Sequence, residues 1–161
     1  MKKLIIVLIS IAFLATAAFA GTTDTQTVYY EIDAINELAF DAADITLTID
    51  SCIFGAGTQP LLTAETVHYD ITTNETAGKK ITAALNANMP ADTSISVTAL
   101  APTGGIGPPF ITLSTTASNV VISIETVAES SINCNITLKA TVAAGLPPDG
   151  SRIITFTLCD E

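Results

Sequence analysis

The sequence is poor in the residues that most active sites use. Its 161 residues include no tryptophan and a single histidine, His68. Zinc centres and activated serines depend on histidine together with further partners, so one imidazole without a Gly-x-Ser-x-Gly motif favours neither. His68 alternates with the polar residues Thr66 and Asp70, a pattern that predicts an exposed strand residue. We therefore expect no enzymatic activity and no catalytic residue.

Basic residues are scarce as well. The chain has 6 Lys and Arg against 16 Asp and Glu, and its formal net charge is −10. Without the two lysines of the N-terminal leader, the remaining chain carries four basic residues and a formal charge of −12 (4 − 16). Binding to nucleic acid or to an anionic membrane requires positive charge, so this composition predicts neither partner.

The first 20 residues have the pattern of a secretory signal peptide. Lys2 and Lys3 precede an apolar run, and Ala18-Phe19-Ala20 ends it in a small-x-small cleavage motif. The alternative is a transmembrane anchor, but the uninterrupted apolar core is short of the ~20 residues that a bilayer requires. We expect residues 1–20 to be removed, and residues 21–161 to form one extracellular or cell-surface domain without an integral membrane segment.

Helical periodicity is also missing after the leader, and alternation with a period of two replaces it. The clearest case runs from Ser131 to Cys159, where SINCNITLKATV and SRIITFTLC flank the turn sequence AAGLPPDG. Successive side chains leave a strand on opposite sides, so this stretch predicts a β-hairpin with one buried face. Such a hairpin is marginal alone and requires a second sheet to cover it.

The same alternation recurs along the chain. Further strands are predicted around residues 28–34, 45–49, 67–71, 81–85, 95–99, 111–113 and 120–124, with residues 67–71 and 81–85 forming a second hairpin. Gly and Pro predict loops at Ser51–Ala64 and Ala101–Pro109, and INELAFDAAD is compatible with one short helical turn. About nine strands predict an all-β fold, a single β-sandwich of the immunoglobulin-like or jelly-roll kind.

Carboxylates crowd the first part of the domain. The acidic residues in question are Glu31, Asp33, Glu37, Asp41, Asp44 and Asp50. Calcium takes several oxygen ligands, which makes a calcium site the alternative interpretation. The cluster lacks the spacing of a calcium loop and much of it alternates along strands, so we expect a solvated acidic face and no cofactor.

Three cysteines are an odd set for an exported protein. Cys52, Cys134 and Cys159 allow one disulfide and one spare thiol. The proximity of Cys134 and Cys159 at the open end of the predicted final hairpin favours that pair. Their parity opposes it, because Cys134 alternates with the inward set and Cys159 with the outward one, so the bridge would require a bulge.

The segment GTTDTQTVYYEIDA resembles the N-terminal strand of secreted fibre subunits, namely pilins assembled by strand exchange and TasA-like matrix fibres. The resemblance implies that residues 21–34 complete the sheet of a neighbouring subunit, with Val28, Tyr30, Ile32 and Ala34 as the inserted side chains. The late cysteines and the non-aromatic C-terminus depart from the pilin pattern. The alternative is that residues 28–34 are the first strand of their own domain.

These observations predict an extracellular structural protein that self-associates into a surface filament, pilus or biofilm matrix through β-strand contacts. The alternative is a secreted or surface-bound recognition module that binds a glycan or a protein through its loops, above all Ala101–Pro109 and Ser51–Ala64. No small-molecule substrate is expected in either case.

Overall fold

The computed structural model describes residues 24–42, 44–50, 61–144 and 150–161, so the predicted signal peptide, Cys52 and most of the Ser51–Ala64 loop lie outside the described residues. The described residues form an all-β structure with eight strands and one short 3-10 turn, and without an α-helix. The strands are β1 (Asn36–Phe40), β2 (Leu61–Thr73), β3 (Lys79–Leu85), β4 (Thr93–Ala99), β5 (Ile111–Thr112), β6 (Ser118–Ile124), β7 (Val127–Ala140) and β8 (Ile154–Asp160).

Two antiparallel sheets share these strands, which confirms the all-β prediction. The five-stranded sheet has the order β1-β2-β7-β4-β5, and the three-stranded sheet has the order β6-β3-β8. The pair β2–β7 is the longest ladder, and its register shifts once between Tyr69 and Ile71. At this bulge Asp70 accepts a hydrogen bond from the backbone N–H of Ser131 at 2.8 Å, and Ser131 has a φ of +59°.

The apolar faces of both sheets meet in one core, as in a β-sandwich. Alternation explains most of the side chains that enter it, because inward and outward positions alternate along a strand, although the consecutive residues Val120 and Val121 of β6 are both buried. The buried apolar residues are Val67, Tyr69, Ile71, Ile81, Ala83, Leu85, Ile95, Val97, Ala99, Leu113, Val120, Val121, Ile124, Ile132, Cys134 and Ile136. Burial raises the pKa of the Tyr69 hydroxyl well above its usual value, and that hydroxyl donates to the Leu100 carbonyl at 2.6 Å.

Both predicted hairpins are wrong. β7 pairs with β2 and β4, whereas β8 pairs with β3 in the other sheet, so residues 131–159 do not form one hairpin. Likewise β2 and β3 lie in different sheets. The alternation identified the buried faces of these strands correctly, but each intervening loop crosses from one sheet to the other instead of turning back.

Several boundaries also differ from the prediction. The segment INELAFDAAD contains β1 instead of a helical turn, and β2 already begins at Leu61 inside the predicted loop. Residues 28–34 are not a strand, and β5 has only two residues. No helix within the described residues is long and apolar enough to cross a membrane.

A polar cluster closes one end of the sandwich. The nearly buried ammonium of Lys79 contacts the carboxylates of Asp160 and Glu75, the latter at 3.0 Å. Asn36 donates to the Glu75 carboxylate and accepts from the Thr73 hydroxyl at 2.8 Å. These contacts join β1, β2, β3 and β8, so the cluster ties both sheets together at this end.

The Lys79 cluster predicts how stability depends on pH. The ammonium holds the Asp160 pKa below its ordinary value of 3.8, and the Asn36 amide, followed by the ammonium, holds the Glu75 pKa below 4.5. The two carboxylates, Asp160 first, raise the Lys79 pKa above 10.5. Lowered carboxyl values add stability that is present above about pH 4.5 and lost as pH falls; the raised Lys79 value adds stability that is present below about pH 10.5 and lost as pH rises.

We therefore expect Lys79→Met to flatten the plot of melting temperature against pH on both sides, below about pH 4.5 and above about pH 10.5. Thermal unfolding followed by circular dichroism across this range measures the plot. Lys139→Met, on β7, removes the same charge elsewhere and serves as the control. Equal flattening in both variants would show that net charge, instead of this cluster, sets the dependence.

Candidate functional site

The N-terminal tail, residues 24–32, is a unit of its own in which every side chain is exposed. Val28 is 74% exposed, Tyr30 88% and Ile32 77%, and Tyr29 on the other face is 92% exposed. Val28, Tyr30 and Ile32 are three of the four residues that the resemblance assigns to strand exchange. The fourth is Ala34. Large apolar side chains at every second position are unusual on a free surface, and such patches typically mark a contact with another molecule.

Asn74 fixes the point at which the chain enters the sandwich. Its side-chain carbonyl accepts from the Ile35 N–H at 2.8 Å, and its amide donates to the Asp33 carbonyl at 2.9 Å. Its own backbone N–H donates to the Ile35 carbonyl at 3.3 Å. Ala34 lies between these two held residues. It is therefore tethered to its own domain, unlike Val28, Tyr30 and Ile32.

The opposite part of the sandwich is left open because the two sheets differ in length. β2 has 13 residues and β7 has 14, whereas β3 and β8 have 7 each. At ~3.4 Å per residue β2 is roughly 20 Å longer than β3 or β8. The inner face of the longer sheet thus continues past the strands that would cover it.

A groove of about 1600 Å³ occupies this part of the domain. Its apolar lining comes from the longer sheet (Leu38, Phe40, Val67, Ile95, Ile136, Leu138), from β8 (Ile154, Phe156), from the segment Asp44–Asp50 (Ile45, Leu47, Ile49) and from Met89. Apolar clefts of this kind are common binding sites. We name it the inter-sheet groove.

The segment Asp44–Asp50 forms one side of this groove in a strand-like manner without being part of a sheet. Ile45, Leu47 and Ile49 are half-buried and the residues between them are exposed, and Ile45 and Leu47 pack on the core. Its backbone makes no hydrogen bond to any other residue that the structure describes. The prediction of a strand here was right about the inward face and wrong about the ladder.

One wall of the groove is the edge of a sheet. Within the described strands β8 pairs only with β3, so its other main-chain edge has no strand beside it. β1 is the corresponding edge of the longer sheet, and Phe40 of β1 stacks on Phe156 of β8 with ring centroids 4.3 Å apart. An unpaired edge beside an apolar groove can accept a further strand.

His68 is only partly exposed, and it is paired. Its Nδ1 lies 2.9 Å from a carboxylate oxygen of Asp41, whose other oxygen accepts from the His68 backbone N–H at 2.9 Å. The hydrogen bonds from His68 lower the Asp41 pKa. The Asp41 N–H donates to the His68 carbonyl at 3.0 Å, so the pair fastens the chain to β2 just after β1 ends. The His68–Asp41 pair therefore has a structural role.

The carboxylates do not assemble into a metal site in the part of the chain that the structure describes. No three His, Cys, Asp or Glu side chains there are placed to hold a metal ion. Among the six acidic residues considered for calcium, Asp41 is engaged by His68. The others are exposed.

The predicted Cys134–Cys159 disulfide is absent, and both residues are free thiols. They lie on β7 and β8, which belong to different sheets, so the hairpin that suggested their proximity does not exist. Burial raises the pKa of the Cys134 thiol to about 12, which keeps it protonated and unreactive at neutral pH. The two described cysteines thus do not support a disulfide-bonded domain.

The loop Ala101–Pro109 is held in place yet presents apolar side chains. Ile106 exchanges two backbone hydrogen bonds with Ile122, at 2.8 and 2.9 Å, and Thr103 N–H donates to Glu129 at 3.0 Å. Ile106 is 56% exposed, and Phe110, just beyond the loop, is 52% exposed. The loop is therefore an ordered surface with exposed apolar groups.

Comparison of the chain with protein-family models, with curated proteins and with solved structures gives no match. The tail and the inter-sheet groove are therefore interpreted from their own geometry. The tail was identifiable from the sequence. The groove was not, because it depends on unequal sheet lengths and on crossovers that alternation alone does not specify.

Asn74→Ala is expected to release the entry point of the chain. The substitution leaves the Ile35 N–H without its acceptor and the Asp33 carbonyl without its donor, and each lost hydrogen bond costs about 1 kcal/mol. Amide hydrogen exchange measured by NMR should show faster exchange at Ile35 and an unfolding free energy lower by roughly 1–2 kcal/mol. Thr76→Ala, at an exposed position nearby, is the control. Unchanged exchange at Ile35 would contradict the role of Asn74.

Proposed function

We propose that this protein is a secreted structural subunit that self-associates through β-strand contacts into a filament or matrix at the cell surface. The observation that carries the proposal is the exposure of Val28, Tyr30 and Ile32, three large apolar side chains at every second position of the tail. The export pattern of residues 1–20 supports an extracellular site of assembly. The tail acts as the inserted strand.

The energetics favour burial of the tail in another molecule. Full burial of one large apolar side chain contributes about 1.5–3 kcal/mol, and three such side chains repeat at the spacing of a strand. An inserted strand also gains main-chain hydrogen bonds along the edge that it joins. The tail thus supplies both parts of a strand-exchange contact: a row of side chains and a backbone free to pair.

Charge sets the conditions under which such an assembly forms. The chain after the leader has a formal charge of −12 (4 − 16), so neighbouring subunits repel each other. Salt screens this repulsion, with a Debye length of about 10 Å at 0.1 M ionic strength. The apolar contact of the tail is insensitive to that screening. Assembly through the tail is therefore promoted by added salt.

A recognition module is the second candidate, and the exposed loop favours it. Ile106 and Phe110 are large apolar side chains on or beside a loop fixed by backbone hydrogen bonds. Binding residues are commonly carried by loops on a rigid scaffold. This candidate assigns the contact to the Ala101–Pro109 region and leaves the tail without a role.

Replacement of the tail's apolar face tests the proposal. In the triple variant Val28→Thr, Tyr30→Thr and Ile32→Thr, strand propensity is retained while the apolar contact is lost. We expect the leader-free chain to form filaments in negative-stain micrographs, and the triple variant to remain monomeric by light scattering at the same concentration.

The matched control changes the opposite face of the same segment. Tyr29→Thr alters a neighbouring exposed position, and this control variant should still assemble. Filaments from the triple variant, or a wild-type chain that stays monomeric at all salt concentrations, would contradict the proposal. Ligand binding that is lost with Ile106→Thr and Phe110→Thr would support the recognition module instead.

A further inference from the structure

We propose that the inter-sheet groove receives the tail of a second copy of this chain, and that the incoming tail displaces Asp44–Asp50, which otherwise forms one side of that groove. The inference rests on the proposed function and identifies the surface and the partner of the assembly. The contact is between the tail of one copy and the groove of the next.

The segment Asp44–Asp50, the resident segment, indicates which sequence the groove accepts. It offers three apolar side chains at alternate positions followed by an acidic residue: Ile45, Leu47, Ile49 and Asp50. The tail repeats that order with Val28, Tyr30, Ile32 and Asp33. The first set is half-buried in the groove and the second is exposed. A second copy of the tail is thus a chemical match for the occupant already present.

The backbone explains why the resident segment is replaceable. It contributes side chains to the groove but no hydrogen bonds to any described strand. The adjoining strand β8 has a main-chain edge that no described strand pairs with. An incoming strand that pairs with β8 makes the same apolar contacts and adds a ladder. The intermolecular strand therefore has the more favourable contact.

Charge at the groove is compatible with the acidic tail. Arg152 lines the groove, and its guanidinium donates to the Asn88 carbonyl at 2.9 and 2.7 Å and to the Ser151 carbonyl at 2.8 Å. Within the described residues it has no carboxylate partner. Glu31 of an inserted tail can provide one.

The position of the entry point favours a partner in another molecule. The chain enters the sandwich beside Asn74, just after β2 ends, whereas the groove extends to the residues opposite the start of β2, Leu138 and Ala140. A contact between the entry end of one copy and the groove of the next uses two different surfaces. Such heterologous contacts repeat without closing and generate filaments.

A peptide of residues 24–34 tests the inference on a receptor that does not assemble by itself. The receptor is the full leader-free chain with the three threonine replacements in its tail. Because the resident segment competes with the peptide, apparent affinity falls with the fraction of molecules whose groove is open. We expect Leu47→Thr to tighten peptide binding on the order of tenfold, since it weakens the resident contact. Thr115→Ala, at an exposed position outside the groove, should leave binding unchanged.

NMR on the receptor with an unchanged groove provides a second measurement, which holds even if Leu47→Thr impairs folding. Saturating peptide should abolish the nuclear Overhauser effects between the Leu47 methyl groups and the core, and replace them with contacts from Tyr30 of the peptide. It should also slow amide exchange along β8.

Three results would overturn the inference while leaving the proposed function intact, provided that tail-dependent filaments still form. One is a peptide that pairs with β1 or β6 instead of β8. Another is a peptide that binds while the Leu47 contacts persist. The third is a groove filled by a copurified lipid that the peptide does not displace. Absence of tail-dependent filaments would instead refute the proposed function itself.

Discussion

The unequal length of the two sheets is the constraint on which the rest of this structure depends. β2 and β7 form a ladder about twice as long as β3 and β8, and the apolar face of that ladder continues beyond the shorter sheet. Exposed apolar surface is unfavourable in water, so the uncovered part must be packed against something. The resident segment Asp44–Asp50 covers it with side chains alone. The inter-sheet groove is the space that this incomplete cover leaves.

The two ends of the sandwich consequently differ in character. At the Lys79 end, ion pairs and the Asn36 amide join β1, β3 and β8, and Asn74 holds the entering chain. At the groove end the lining is largely apolar, and Leu138, Ile154 and Phe156 are only half-buried. The proposed head-to-tail assembly draws on this difference, because the groove end offers incompletely covered apolar side chains and the Lys79 end does not.

The sequence predicts which face of a strand is buried better than it predicts which strand pairs with it. Alternation placed Ile81, Ala83 and Leu85 in the core correctly, because the period of a strand fixes which side chains point inward. Alternation does not state which strand pairs with which. It therefore suggests hairpin turns before β3 and β8, although each of these strands lies in the other sheet from the strand before it. The same error produced the Cys134–Cys159 pairing.

The tail and the inter-sheet groove differ in how far the sequence predicts them. The tail was recognisable because its residues alternate locally, although it forms no strand in its own chain. The groove residues Leu138, Ile154 and Phe156 were recognisable only as inward-facing, since their incomplete burial arises from the length of strands distant in sequence. β1 was missed because Asn36 is polar at the parity of Leu38 and Phe40 while Ala39 is apolar at the other parity, so its five residues show no clear alternation.

A reconstruction of the assembled filament by cryo-electron microscopy tests the central claim most directly. The account predicts that residues 28–32 of each subunit form a strand against β8 of its neighbour, with Val28, Tyr30 and Ile32 pointing into the inter-sheet groove. It also predicts that Asp44–Asp50 has left that groove. Filaments in which the tail packs on its own domain, with Asp44–Asp50 still in place, would contradict it.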